Sequence, residues 1–118
     1  MLHYYIEGIF QDGGKKMKTT VDFSDFVDGF QKIGRENQFS YDGLITLFNF
    51  LENLEEEIGE EIEFDPIGIC SEFTESTLDD INNDFDMNFK SLSAARKFLE
   101  EQTNVIGVTN DSIVYENF

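Results

Sequence analysis

Asp80, Asn82, Asp84 and Asp86 stand at the first, third, fifth and seventh positions of a calcium-binding loop. The match ends there. The sharp turn that needs glycine holds Phe85, and the bidentate glutamate expected at the twelfth position is Ser91. Read by itself, the segment is a capped helix end followed by a polar turn. Nucleophilic chemistry has even less to work with, because His3 is the only histidine and Cys70 the only cysteine. His3 lies in the weakly patterned N-terminal stretch and Cys70 in an apolar run where a free thiol reads as core packing, so neither offers the pair that catalysis requires. The stretch Asp12-Gly13-Gly14-Lys15 is too short to cradle a phosphate. Paired carboxylates do acid-base work in glycosidases, but among 25 Asp and Glu a pair carries no information, and a chain of 118 residues has little mass for a substrate cleft. The expectation is a protein without catalytic residues, metal or cofactor.

The acids themselves are the feature to explain. Residues 1–35 carry five acids and five bases, and residues 90–118 four acids and three bases. Between them, residues 36–89 carry 16 acids and no Lys or Arg, so nearly all of the net charge of -17 sits in one interval. A protein acidic for solubility alone spreads its carboxylates and intersperses cations. Here Glu52, Glu55, Glu56, Glu57, Glu60, Glu61, Glu63 and Asp65 follow one another closely, with Glu72, Glu75, Asp79, Asp80, Asp84 and Asp86 further on. Like charges four apart on a helix cost about 0.2–0.5 kcal/mol, and acids near its C-terminus oppose the helix dipole by about 0.3–1 kcal/mol each. A local rule broken without local compensation points to function. Carboxylates on one helix face repeat at about 5–6 Å, close enough to phosphate spacing for a groove built for nucleic acid to accept them. The plainer reading is a solvated acidic face.

This charge excludes direct nucleic-acid binding, which needs clustered cations, and attraction to an anionic membrane. No apolar run approaches the roughly 18 residues of a membrane span, and the N-terminus lacks the pattern of a signal peptide. Hydrophobic residues make up 40% of the chain and include 13 Phe, enough apolar surface for a folded core despite the charge. A single cysteine permits no internal disulfide and suits a reducing compartment.

The elements follow from periodicity and caps. Met1 to Phe10 alternates weakly and reads as a strand. Met17 would serve equally well as a start, so residues 1–16 are an N-terminal appendage or strand and residues 17–118 a single acidic α+β domain. Ser24 is a candidate N-cap for a helix carrying Phe26, Phe30 and Ile33 and ending at Gly34. Ser40 opens an 18-residue amphipathic helix with Leu44, Leu47, Phe48, Leu51, Leu54 and Ile58 inward, closed by Gly59. Tyr41, Ile45 and Phe50 fall outside that stripe and are expected at the surface, where they would mark a hydrophobic element beside the acids, for a partner or for self-association. Pro66 is expected to start a strand over Ile67 to Phe73 with Cys70 in it. A short helix over Thr77 to Phe85, a longer one from Ser91 to Gln102, and a hairpin turning at Thr109-Asn110-Asp111 complete the chain. The sum is α+β, a small antiparallel sheet of about three strands with three to four helices packed on one face. Most phenylalanines, among them Phe26, Phe30, Phe48, Phe64, Phe73 and Phe98, are in phase with other apolar residues and belong to the core.

The segment Phe64-Asp65-Pro66-Ile67-Gly68-Ile69-Cys70-Ser71-Glu72-Phe73-Thr74-Glu75, preceded by the acidic helix, resembles small acidic proteins of bacteriophages and mobile elements. The similarity extends from about Met17 to Phe118. By kind, the resemblance implies an inhibitor of a bacterial defence system, of the anti-CRISPR or antirestriction type, several of which imitate nucleic acid. It implies the bacterial cytoplasm and carries over no site residue. The leading expectation is therefore a decoy whose 14 acids from Glu52 to Asp86 occupy the cationic channel of a nucleic-acid-binding host protein. The alternatives are a module that binds a basic protein without imitating nucleic acid, and a divalent-cation-binding protein using the aspartates around residue 80.

Overall fold

The computed structural model describes residues 2–5, 11–12, 15–16 and 18–118, with side chains from Val21 onward. The expected strand near the start is present as β1 (Leu2–Tyr5), antiparallel to β4 (Lys18–Val21), so the pairing crosses the boundary expected at Met17. Two-residue strands β2 (Gln11–Asp12) and β3 (Lys15–Lys16) pair with each other between them. The rest of the Met1 to Phe10 stretch, the His3 side chain and Met17 lie outside the described residues.

Helix α1 (Phe23–Lys32) is capped by Asp22 rather than Ser24. The Asp22 carboxylate accepts from the Asp25 amide at 2.8 Å, and the Asp25 carboxylate accepts from the Asp22 amide at 3.2 Å. This reciprocal box satisfies two exposed amides where the serine would have satisfied one. Helix α2 (Tyr41–Ile58) has the expected caps: the Ser40 hydroxyl accepts from the Gly43 amide, and Gly59 takes the left-handed conformation (φ 69°) that lets its amide reach back to Glu55. Its inward stripe stops short, since Leu54 is only half-buried and Ile58 is 51% exposed.

The expected strand over Ile67 to Phe73 is instead helix α3 (Pro66–Glu72), and strand β5 (Phe73–Thr77) begins where it was expected to end. Proline at the first helical position lacks only an amide that would be unpaired there anyway, and its fixed φ suits the helix. Ile69 and Phe73, four apart, are the buried pair, whereas Ile67 is 63% exposed. Helix α4 (Leu78–Asp84) is held by a Thr77 and Asp80 capping box, and α5 (Leu92–Gln102) starts at the Ser91 cap. The hairpin of β6 (Val105–Val108) and β7 (Ser112–Glu116) forms as expected.

The main sheet is three-stranded and antiparallel in the order β5, β7, β6, and the fold is α+β with five helices among the described residues. Phe73 pairs with Glu116 and Thr77 with Ser112. Helices cover both faces rather than one. Because β7 is central, Ser112, Ile113, Val114 and Tyr115 are all buried, with alternate side chains entering different cores. Val114 and Phe73 join Phe26, Phe30, Leu47, Phe48, Leu51, Phe64 and Ile69 beneath α1, α2 and α3. Ile113 and Tyr115 join Ile81, Ala95 and Leu99 beneath α4 and α5. In the first core Phe26 meets Phe30, Phe48 and Phe64 at ring separations of 5.2–5.3 Å, contacts worth about 0.5–1.5 kcal/mol each beyond their burial. Phe98 is half-buried in the second core with Phe85 and Phe89.

Candidate functional site

The sheet divides the acids foreseen from the sequence into two groups and takes one for itself. On the side covered by α2, Glu52 and Glu55 are half-buried on that helix, while Glu56 and Glu57 are exposed in its last turn. After Gly59 the chain returns in extended form, with Ile62 half-buried and Phe64 buried against Phe26 and Phe30. Alternation in an extended segment sends neighbours to opposite sides, so Glu61, Glu63 and Asp65 are exposed, as is Glu60 before them. The Glu55 carboxylate accepts from the Ile62 amide at 2.8 Å and ties this returning segment to the end of α2. Two phenylalanine-anchored pieces of chain thus carry one dense set of carboxylates. Glu72, at the end of α3, is exposed on the same side.

The second group belongs to the opposite side of the sheet. Asp79, Asp80 and Asp84 are exposed on α4. The Asp80 carboxylate accepts from the Thr77 amide at 3.1 Å to complete its capping box. Asp86 is exposed in the following turn with a left-handed backbone (φ 53°), a conformation that Asp tolerates better than most residues. The calcium-loop spacing therefore falls mostly on a helix, and the Asn82 side chain bonds the Phe89 backbone amide and carbonyl. Among the described residues no three His, Cys, Asp or Glu side chains converge as metal ligands.

Glu75 stands apart. It is half-buried on β5 and accepts from the Ser40 amide at 2.7 Å, the Ser40 hydroxyl at 2.6 Å and the Ser112 hydroxyl at 2.6 Å. Its charge lies at the positive end of α2, which favours it. Gly43 leaves room for the carboxylate: a Cβ there would come within 2.7 Å of Glu75 Cδ. Glu75 joins α2 to the sheet.

Beside the first group lies a groove of about 250 Å³ between the second half of α2 and α3. Its floor is apolar, with Phe50, Leu54, Ile62, Ile69 and Phe73, and Glu63, Asp65, Glu72 and Glu116 stand around it. In the sequence the groove is marked only by Phe50, out of phase on α2. Phe50 is half-buried and packs edge-to-face on Phe73 at 6.0 Å. Ile45 is half-buried, and Tyr41 is 66% exposed as expected.

Cys70 is half-buried on α3, and burial raises its thiol pKa while Arg35 opposes the shift. Burial likewise raises the pKa of Tyr115, whose hydroxyl lies 3.1 Å from that of Ser76; this contact lowers it, and Asp84 and Asp80 raise it. No helix among the described residues is long and apolar enough to cross a membrane. Searches among protein-family models, curated proteins and solved structures find no match to this chain.

Proposed function

We propose that this protein acts by binding, without catalysis, and that the carboxylates at the end of α2 and on the returning segment occupy a cationic nucleic-acid-binding surface of a bacterial defence protein. It would do so in the host cytoplasm, as an inhibitor of the kind carried by phages and mobile elements. The observation that carries this reading is the run of exposed acids Glu56, Glu57, Glu60, Glu61, Glu63 and Asp65 along the last turn of α2 and the returning segment that Phe64 anchors. Attraction of this kind steers association and weakens as salt screens it. The α4 aspartates lie across the sheet and are left out of the proposed surface.

A second reading, a basic protein partner without nucleic-acid mimicry, is favoured by the apolar groove beside the same acids, because a phosphate backbone has no apolar group to place there. Competition separates the two. With purified CRISPR effector complexes and restriction endonucleases, the protein is expected to displace labelled nucleic acid from at least one of them at about 0.1 M salt and to lose that ability by about 0.5 M. Binding to such a protein without displacement would leave the second reading in place of the first. Absence of binding to any of them would overturn the proposal.

A further inference from the structure

We infer that the groove between α2 and α3 receives one bulky apolar side chain from a cationic segment of a partner protein. The inference rests on the reading that the carboxylates beside it meet a basic protein surface. Its own support is separate: an apolar floor surrounded by acids specifies both features of its occupant. The volume of about 250 Å³ falls below the roughly 300–1,000 Å³ of sites that enclose drug-sized ligands. A single large side chain suits it better than a free metabolite. The surrounding Glu63, Asp65, Glu72 and Glu116 then favour Lys or Arg on either side of that anchor and disfavour an acidic or neutral segment. Further apolar surface lies close by in the chain, since Ile58 is 51% exposed at the end of α2 and Ile67 is 63% exposed in the first turn of α3. An apolar anchor in a carboxylate setting also gives the interaction a component that salt does not screen.

The test uses the whole protein and two labelled peptides, Lys-Arg-Lys-Phe-Lys-Arg-Lys and its twin with Ala at the centre, followed by fluorescence anisotropy. The Phe peptide is expected to bind about tenfold or more tightly than the Ala peptide, and this ratio should persist as salt weakens both. Leu54→Glu, checked by circular dichroism for retained structure, should abolish the ratio while leaving the binding of the Ala peptide. Methyl NMR of the unaltered protein provides an independent readout, with the Phe peptide expected to shift the Leu54, Ile62 and Ile69 methyl signals and the Ala peptide to leave them in place. Equal affinity for the two peptides, or shifts confined to other methyls, would overturn the groove assignment and leave the carboxylate surface standing. Failure of both peptides to bind at low salt would remove the carboxylate surface as well.

Discussion

Glu75 and Glu56 are both glutamates of the base-free interval, yet their surroundings are opposite. Three donors from Ser40 and Ser112 surround the first, while the second is exposed on the last turn of α2. Side-chain surroundings, not charge, decide whether an acid belongs to the fold or to the surface. Cys70 makes the same point. A half-buried thiol whose pKa burial has raised holds less thiolate at any pH below that value, and the thiolate is the reacting form. Its alkylation by iodoacetamide at pH 8 should be several-fold slower than that of a cysteine peptide, with the rate profile displaced to higher pH. Urea should restore the ordinary rate. A native rate equal to that of the peptide would show that the thiol is not held in its protonated form.

Helix α2 is fastened to the sheet through its N-terminus, and Gly43 is the residue that permits it. In an open helix, Gly→Ala is worth about 0.5–1 kcal/mol in favour of alanine. Here a Cβ would press on the Glu75 carboxylate, so Gly43→Ala should destabilise the protein by about 1–2 kcal/mol in urea unfolding. With Glu75→Ala already in place, the same change should be neutral or stabilising, giving a coupling of about 1 kcal/mol or more in the double-mutant cycle. Gly43→Ala stabilising the otherwise unaltered protein would remove Glu75 as the fastener. Caps and periodicity announced α2, α5 and the β6–β7 hairpin, because Ser40, Gly59 and Ser91 act on their immediate neighbours. They failed at α3, where the apolar run after Pro66 suits strand or helix equally, and only the packing of Ile69 and Phe73 decides. The dense acids of Glu52 to Asp65 stood out in the sequence. Their separation from the α4 aspartates by the sheet did not, because it depends on β7 being the central strand, a long-range pairing that no local pattern encodes. The groove was hidden for the same reason, since its floor draws Phe50, Ile62, Ile69 and Phe73 from separate elements.

For the molecule as a whole, a charge of -17 offers two explanations of any attraction to a basic partner. Net charge acts at a distance and is indifferent to where the carboxylates lie. A docking surface depends on their arrangement. The two groups of acids on opposite sides of the sheet allow a direct comparison, because three charges can be removed from either. One variant carries Glu56→Gln, Glu57→Gln and Glu60→Gln; the other carries Asp79→Asn, Asp84→Asn and Asp86→Asn and leaves Asp80 to cap α4. The decisive measurement is the affinity of each variant for whichever basic nucleic-acid-binding protein the competition experiment identifies as a partner, at about 0.1 M salt. A loss of about tenfold or more is expected for the first variant and less than about twofold for the second. Equal losses would mean that total charge alone is being read and that the acids at the end of α2 form no docking surface.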